Sequence, residues 1–451
     1  MKRAFFYLTF FLISQQMLFA QEEKQMELSL ENCIKMAVEK NINTQTARIE
    51  QEKSEYKISE NRAALLPKIN ASANFQGYFK LPTTLLPGEI IGQPGTKLPV
   101  EMGTAFNTNV AATLNMVLYN QTAITALQLS KKLADLSKLS VEKASEQLAF
   151  EVAKLYYLTI TTSKQKNIIE GNITRTKQLL DITKILVDNG MVKQVDYDRV
   201  YINIENLYTH LSSTETAYEQ QINMIKYMLD ISLSDTIILT EEAEASLISE
   251  QPTPMSDFSD HIDIRMLEQQ KEVNLMNQKV INNGYLPSLS LTGQLACQGM
   301  RDEFKNYFNN SPESKWYGSS YLGATLSFPI FDGLEKQAKS RQARLDYQKT
   351  EILLEDTKEQ FMVNYLNAMN NYQNNKSNVD RQKKNIELAI KVYEETALKY
   401  KEGLTSMSNL LQDEMSLSSA QASYLTALYN FKEAELKLMS LNGEIKNFFN
   451  E

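Results

Sequence analysis

The stretch LLPKINASANFQGYF at Leu65–Phe79 begins with a Leu-Pro break and continues with apolar and polar residues in alternation. A related stretch, YLPSLSLTGQLACQG, has the same order of features at Tyr285–Gly299. Such alternation predicts a β-strand with one apolar and one polar face. A long polar segment without proline precedes each stretch, which favours a helix before each strand. The sequence therefore predicts that a mostly helical chain forms a two-sided strand at two related places.

The chain contains an internal duplication, because three landmarks recur in the same order at nearly constant separation. These landmarks are the Leu-Pro breaks, a second pair of alternating stretches, and two glycine turns. The matched pairs are Leu66 and Leu286 at a separation of 220, Leu114 and Leu326 at 212, and Gly190 and Gly403 at 213. Each half of the chain accordingly reads helix, strand, loop, strand, very long helix, turn and helix.

The N-terminus predicts export from the cytoplasm. Lys2 and Arg3 precede an apolar run, and a small residue, Ala20, precedes a polar segment; this is the layout of a signal peptide over residues 1–20. The net charge of −8 would become −10 on loss of the two basic residues. An acidic chain without basic clusters binds nucleic acid poorly, so no nucleic-acid partner is expected.

The rest of the chain, 21–451, is predicted to be a single unit made of the two repeats. The repeats are expected at about 26–230 and about 262–445, on the landmarks given above. The segment that joins them, 231–261, is richer in acids and helix breakers than its surroundings. We expect irregular structure and short helices in this linker, placed around the equator of the molecule.

The two longest helices are predicted over Ala123–Val187 and Leu334–Lys401, and neither contains proline. At 1.5 Å per residue, each would be about 100 Å long, which is far more than a small domain needs. Apolar residues at spacings of three and four favour coiled-coil packing. Gly190 and Gly403 supply the turns that return the chain along its partner helix. A plain antiparallel coiled coil would explain these helices by themselves.

The four predicted strands indicate that the chain is not only an antiparallel coiled coil. The second and fourth strands are predicted at Asn109–Asn120 and Tyr321–Gly333, and all four are about 10 residues long, the length of a transmembrane β-strand. A soluble sheet with one buried face would also alternate. However, the strands are isolated pairs beside very long helices, without another apolar layer to cover them. The long connections 80–106 and 300–315 fit loops outside a membrane.

We predict that the apolar strand faces contact outer membrane lipid and that the polar faces contact water. The residues chosen for the lipid-facing surface are Phe75, Leu114, Leu291 and Leu326. Four strands cannot close a barrel, and open sheet edges are not tolerated in lipid. Closure therefore needs several chains: two would give eight strands and three would give twelve. A lumen wide enough to continue into a hollow helical tube favours twelve.

Four sequence motifs resemble those of the TolC-like outer membrane efflux proteins, and the resemblance covers essentially all of 21–451. The motifs, in order, are LSLENCIKMAVEKN, ALLPKINAS, LSFPIFDGLEKQAKSRQA and YKEG. The resemblance implies a mainly α, internally duplicated chain with a small β part. In such a homotrimer, long antiparallel coiled-coil helices form an α-barrel, continued by a 12-stranded membrane β-barrel with four strands per chain. It also implies a periplasmic adaptor (membrane fusion) protein and an inner membrane transporter as partners, and location in the outer membrane with a large periplasmic portion.

The resemblance also implies a docking tip and a gate at the periplasmic end of the tube. The tip that meets the adaptor would contain Gly190, Met191, Gly403 and Leu404. Asp196 and Tyr400 fall where the family has an acid and a tyrosine that hydrogen-bond across the helix pairs. A family arginine is replaced by Thr405, and uncharged residues replace the two constriction aspartates. The gate positions therefore include Asn409 and Gln412, with Asp413 directed about 100° away.

Catalytic chemistry is not expected. The two histidines, His210 and His261, stand alone, and the sequence has no metal-binding, thiol-redox or phosphate-loop motif. We predict no enzyme activity, no cofactor and no metal site. The favoured function is a passive outer membrane exit duct of a multicomponent efflux pump. The exit duct of a type I protein secretion system would use the same architecture, and a trimeric coiled coil or adhesin with a β anchor would explain fewer features.

Overall fold

The structure is a computed structural model and describes residues 26–92, 94–240, 247, 258–309 and 312–449. Most of these residues are helical. The helices are α1 (Leu30–Lys40), α2 (Ile42–Ala63), α3 (Gln121–Asp188), α4 (Gln194–Met228), α5 (Ile262–Asn283), α6 (Glu335–Lys401) and α7 (Met407–Leu441). The strands are β1 (Met26–Leu28), β2 (Lys68–Gly77), β3 (Thr83–Pro87), β4 (Lys97–Glu101), β5 (Phe106–Asn120), β6 (Ile237–Leu239), β7 (Ser288–Arg301) and β8 (Trp316–Ser327).

The chain divides into two compact units. The first, called here the helical unit, comprises the described residues within Met1–Ile49, Lys138–Met266 and Leu354–Glu451. The second, called here the strand unit, comprises Glu50–Ser137 and Leu267–Leu353, apart from the few residues that the structure does not describe. Each unit takes segments from both repeats, so the duplication does not correspond to two separate domains.

The repeats match closely in the helical hairpins. The α3–α4 pair and the α6–α7 pair end at positions that differ by 213 residues throughout. Both second helices, α4 and α7, have 35 residues, and the long helices have 68 and 67. The predicted ends of the long helices agree with the structure to within two residues, because no proline and few glycines interrupt them. None of the described helices is sufficiently long and apolar to span a membrane.

The strand unit contains a four-stranded antiparallel sheet in the order β2-β5-β7-β8. Strands β2 and β5 belong to the first repeat, and β7 and β8 belong to the second. The two repeats therefore meet at the centre of the sheet, where β5 pairs with β7. The pairing shifts by one residue between Val117 and Tyr119. The outer edges of β2 and β8 have no partner strand in the part of the chain that the structure describes.

Two strand predictions need correction. The fourth strand ends at Ser327, so Phe328 and Ile330 lie in an irregular segment before α6. Pro329 explains this end, because proline has no N–H to donate to a strand partner. The connection predicted as a loop over 80–106 also contains a hairpin, in which β3 pairs antiparallel with β4.

The helical unit contains a small parallel sheet that the sequence pattern did not predict. The three residues of β1 pair with the three residues of β6, about two hundred positions further along the chain. Tyr156 donates a hydrogen bond of 3.0 Å to the carbonyl oxygen of Leu28 at the end of β1. A buried cluster of side chains from α1, α3, α4 and α7 surrounds this sheet.

The predicted linker, 231–261, is described only in part. Its described residues contain β6 and no helix, which corrects the expectation of short helices for that portion. The remainder of the linker, 241–246 and 248–257, lies outside the described residues, as does the predicted signal peptide over 1–20.

Candidate functional site

Two turns in the helical unit have the same geometry. After α3, the N–H of Gly190 bonds to the carbonyl of Val187 and that of Met191 to Leu186, both at 2.8 Å. Gly190 has φ +71°. This is the Schellman motif, which ends a helix with a residue in the left-handed region.

The turn after α6 repeats this pattern at each equivalent position. Gly403 also has φ +71°, and its N–H bonds to the carbonyl of Tyr400 at 3.0 Å. Leu404 N–H bonds to the carbonyl of Lys399 at 2.8 Å. Leu404 and its counterpart Met191 are each 72% exposed. A Schellman motif usually packs this apolar residue back onto its helix, whereas here both side chains are presented to the surroundings.

A buried apolar cluster, called here the tip core, lies next to these turns. It joins four helices and consists of Leu179, Val200, Tyr393, Tyr400, Met407, Leu410 and Leu417. Tyr400 is 4% exposed, and its hydroxyl lies near Thr183 without a hydrogen bond of good geometry to any described residue. Burial raises the pKa of Tyr400 above the ordinary value of a tyrosine.

The hydrogen bond predicted between Tyr400 and Asp196 is not formed in this structure. Asp196 lies in the first turn of α4 and accepts instead from Arg199 Nη1 at 3.3 Å. The same Arg199 nitrogen lies 3.2 Å from Ser408 Oγ, on the first turn of α7. At the first turns of α4 and α7, Arg199 therefore makes a polar link between the two hairpins, while Tyr400 packs in the apolar tip core.

The three remaining gate residues differ in exposure. Asn409 and Gln412 are exposed, on the side of α7 away from the buried Leu410. Asn409 Nδ2 donates to Thr405 Oγ1 at 3.1 Å, within the same turn. Asp413 is half-buried. The structure therefore places uncharged amide side chains on the exposed face near the tip.

Between Leu410 and Leu417 of the tip core, on the same face of α7, lies a buried polar group that sequence reasoning missed. Glu414 on α7 is 5% exposed and accepts a hydrogen bond from Asn203 Nδ2 of α4 at 2.9 Å. Its other carboxylate oxygen lies within hydrogen-bond distance of Thr176 Oγ1 on α3. The only signal in the sequence was spacing, because residue 414 falls on the same helix face as Leu410 and Leu417.

In the strand unit, the register brings the four predicted apolar faces together. Ile69 pairs with Leu114, Leu114 with Gly293, and Gly293 with Leu322. Directly paired residues lie on the same face of a sheet, and alternate residues of a strand do so as well. The residues chosen as lipid-facing, which therefore share one face, are Phe75, Leu114, Leu291 and Leu326. Thr292 and Thr325 lie on the opposite face.

Among the described residues, the apolar face of the sheet is largely uncovered; Phe304 and Tyr307 contact it at one end, against Phe75 and Thr108. Ile69, Leu295 and Leu322 expose between 67% and 75% of their surface. Soluble monomers rarely leave so much contiguous apolar surface exposed. The opposite face carries polar rows, such as the one formed by Asn74, Asn109, Gln298 and Tyr317.

Exposed aromatic side chains occur near both ends of the sheet. At one end they are Phe75, Phe304, Phe308 and Trp316. At the other end they are Tyr119, Tyr285, Phe328 and Phe331. Edge-on ring contacts join Phe304 to Phe75 and to Phe308, with ring centroids 5.9 Å and 5.6 Å apart, and Trp316 makes such a contact with Tyr307.

No group of three or more His, Cys, Asp or Glu side chains in the described part of the chain could hold a metal ion. His261 is buried against the ring of Phe361, and burial lowers the pKa of His261. The ion pairs among exposed residues mostly join neighbours three or four positions apart on one helix, which is the spacing of surface helix pairs.

Long duplicated helical hairpins with a two-sided sheet define a TolC-like fold, the fold of outer membrane channels. The sequence profile of the outer membrane efflux protein family matches residues 33–229 and 259–444. The chain therefore belongs to the outer membrane efflux protein family. The two matched ranges correspond to the two repeats, and the chain is an outer membrane protein with a periplasmic helical portion.

Solved structures of outer membrane channels share this fold. The open state of the MtrE channel of Neisseria gonorrhoeae is 18% identical, with 92% of this chain and 89% of that chain covered and a TM-score of 0.73. The CmeC channel of Campylobacter jejuni is 16% identical, with 92% and 85% covered and a TM-score of 0.73. CusC is 15% identical, with 91% of both chains covered and a TM-score of 0.73. No curated protein sequence gives a significant match.

Proposed function

We propose that three copies of this chain form a continuous channel, with a 12-stranded barrel in the outer membrane and a helical tube in the periplasm. The observation that carries the proposal is the four-stranded sheet with two unpaired edges, β2 and β8, and one largely uncovered apolar face. An open edge is not tolerated in lipid, so β8 of one copy would pair with β2 of the next. Three copies give twelve strands, enough for a water-filled lumen.

The apolar face is proposed to contact lipid. A strand of 12 residues, such as β8, is about 40 Å long, and tilted at about 45° it covers roughly 28 Å along the membrane normal. That height matches the apolar band of a transmembrane barrel, which aromatic residues flank on both sides. The exposed aromatic groups at the two ends of the sheet fit these two positions.

The function we propose is the passive exit duct of a multicomponent efflux pump, without enzymatic activity. Membership of the outer membrane efflux protein family supports a channel in the outer membrane. A periplasmic adaptor protein and an inner membrane transporter would supply substrate and energy. Polar side chains on the opposite sheet face would line the pore with water-compatible groups.

Adaptor docking is proposed at the two turns that contain Met191 and Leu404. Both present an exposed apolar side chain on a rigid Schellman motif, and the duplication gives six such positions in a trimer. An apolar anchor on a rigid turn loses little conformational entropy when it enters a pocket of a partner. A partner surface with matching apolar pockets at two nearly equivalent positions per chain would fit this arrangement.

Gene deletion with complementation tests the function. Loss of the gene should sensitise the bacterium to toxic small molecules, and the intact gene should restore resistance. A variant with Leu404→Glu should fail to restore resistance although it reaches the outer membrane. Unchanged sensitivity, together with loss of a secreted protein, would instead assign the duct to type I secretion. Unchanged sensitivity and secretion would contradict any duct function.

A further inference from the structure

Glu414 connects the two repeats at the tip core, between Leu410 and Leu417 of α7. Its carboxyl group lies on α7 of the second repeat, whereas Thr176 and Asn203 belong to α3 and α4 of the first. Close by, Asn172 Nδ2 lies 3.1 Å from Gln421 Oε1 of α7. One buried acid therefore joins three helices from both hairpins, next to the turns and the tip core.

Two acceptors compete for the hydroxyl proton of Thr176, namely the carbonyl oxygen of Asn172 and the carboxyl group of Glu414. A threonine hydroxyl has a single proton to donate, and Thr176 Oγ1 lies 2.9 Å from the carbonyl oxygen of Asn172. Other helical threonines of this chain donate to the carbonyl four residues earlier at 2.8–3.0 Å. They include Thr125, Thr159, Thr162, Thr174, Thr183, Thr209 and Thr214.

With its proton directed to Asn172, Thr176 can only accept a hydrogen bond from Glu414. The carboxyl group must then carry the proton that makes this bond. Its second oxygen accepts from Asn203, so a neutral Glu414 leaves no atom of the group unpaired. An ionised Glu414 would require the Thr176 hydroxyl to turn from Asn172 to the carboxylate, and it would leave a charge in a buried site.

Few nearby charges favour the ionised form of Glu414. The charged and titratable groups that face Glu414 are Arg175 of α3 and Tyr393 of α6, while α4 contributes only the uncharged Asn203. The Arg175 guanidinium lies over the Tyr393 ring, 5.7 Å from its centroid. Burial raises the pKa of Glu414, and it outweighs the charge of Arg175 and the polar contacts, which lower it.

We propose that Glu414 is a positioning residue of the closed tip and acts in its protonated form, as a neutral clamp between the hairpins of the two repeats. This rests on the proposed function, in which the tip opens to admit substrate. An open tip would let water reach the carboxyl group and restore its ordinary pKa. The closed tip therefore binds the proton of Glu414 more tightly than the open tip does, so the closed tip is most favoured at low pH. It loses stability as pH rises from the ordinary pKa to the raised one.

Infrared spectroscopy of the purified protein tests the protonation without any channel activity. Below its raised pKa, Glu414 should contribute a buried carboxylic-acid C=O band, and the difference spectrum of wild type minus Glu414→Gln should separate it from the band of Glu146, whose pKa burial raises to about 7. The matched control is Glu205→Gln, the same change at an exposed carboxyl group of α4, and it should leave the band in place. A difference spectrum between wild type and E414Q that lacks this C=O band would overturn the neutral clamp.

Planar-bilayer conductance tests the positioning role. The open probability of wild type should rise from about pH 5 to about pH 8, by at most about tenfold per pH unit for each carboxyl that titrates. The amide of E414Q can donate to Thr176 and accept from Asn203, so E414Q should stay closed across this range, whereas E205Q should behave as wild type. An equal pH dependence in wild type and E414Q would refute the positioning role. Absence of any pore would contradict the proposed function and leave the infrared result standing.

A second variant covers the case in which E414Q does not assemble. Thr176→Val removes the acceptor but keeps the shape of the side chain. It should shift the infrared band to the frequency of an acid without a hydrogen-bond acceptor and raise the open probability at about pH 6. An unshifted band and an unchanged open probability would overturn the proposal.

Discussion

At the scale of single residues, the sheet offers pairs of neighbours with opposite environments. Leu326 lies on the apolar face and is paired with Leu289, while the adjacent Thr325 lies on the polar face and is paired with Ser290. Because a one-residue step along a strand reverses the face, these neighbours differ in environment but hardly in position. They are therefore a sensitive test of which face meets lipid.

Replacing Leu326 by Arg should destabilise the barrel by about 2–4 kcal/mol if the residue lies near the bilayer midplane, and by less toward the interfaces. Thr325→Arg should be tolerated, since its side chain would face water in the lumen. The measurement is the amount of folded protein in the outer membrane, compared with wild type. Equal loss for the two variants would mean that the assignment of the faces is wrong.

Among the described residues, the buried hydroxyl of Tyr400 interacts with Thr183 but forms no hydrogen bond of good geometry. A buried polar group left unsatisfied destabilises a fold by roughly 1–3 kcal/mol. Tyr400→Phe should therefore leave the closed tip intact or raise the melting temperature. Arg199→Ala, in contrast, removes the bond to Ser408 that joins the hairpins and should increase resting conductance. Melting curves and bilayer recordings of both variants check this. A large rise in conductance for Tyr400→Phe alone would contradict this and show that the Tyr400 hydroxyl helps to hold the tip closed.

Residue-level features were the hardest to predict from sequence. Asp196 and Tyr400 were placed correctly on their helices, but their hydrogen bond depended on side-chain packing that spacing does not determine. Glu414 resembles any solvated helical acid, and only its alignment with Leu410 and Leu417 distinguished it. The grouping of Phe75, Leu114, Leu291 and Leu326 on one face did follow from sequence, because alternation and register leave little freedom.

At the scale of elements, the two Schellman turns are the most regular feature of the helical unit. Gly190 and Gly403 adopt the same φ of +71°, where a side chain is strained. Nothing lies within 4 Å of a Cβ built at either position. The need for glycine is therefore conformational, since there is space for a methyl group.

Replacing Gly403 by Ala should destabilise the turn by about 1–2 kcal/mol through the left-handed backbone alone. Gly171, within α3, also has open space at its Cβ but has helical backbone, so Gly171→Ala should be neutral or stabilising by up to about 1 kcal/mol. Thermal unfolding of both variants measures the difference. Equal melting temperatures would show that the turn conformation is not strained.

The exposed side chains of these turns allow docking to be separated from folding. Leu404→Glu should abolish efflux while the yield of assembled protein stays at the wild-type level, because the side chain is exposed and makes little contribution to packing. The matched control is Leu404→Met, which introduces the residue found at the equivalent position of the first repeat. A parallel fall of yield and efflux in the Glu variant would assign these turns to folding instead.

Long elements were predictable and short ones were not. The ends of α3 and α6 followed from uninterrupted helical sequence bounded by Asn-Gly and Glu-Gly turns. The three-residue strands β1 and β6 are too short for periodicity, and their pairing depends on the buried cluster around them. The β3–β4 hairpin lies in a loop with several prolines, which obscured its alternation.

At the scale of the whole molecule, the duplication explains why each of the two units contains segments from both repeats. Each repeat contributes one strand pair to the strand unit and one long hairpin to the helical unit. Neither repeat forms a closed sheet by itself, and the two together still leave the edges of β2 and β8 unpaired. The architecture therefore indicates that further copies of the chain complete the sheet by pairing with these edges.

The proposed trimer rests on the count of four strands per chain and on the resemblance to a known family. Neither argument alone selects three copies, since two would also close a small barrel. The choice depends on a lumen that continues into a helical tube. Strand number and helix length could be predicted from sequence, whereas the closure geometry depends on contacts between chains.

Native mass spectrometry of the protein extracted in mild detergent tests the central claim most directly. The account predicts a complex of three chains that persists when the protein is diluted, because each copy supplies the strand partners that its neighbours lack. A folded single chain, with the β-sheet content of the structure and without bound copies, would contradict it.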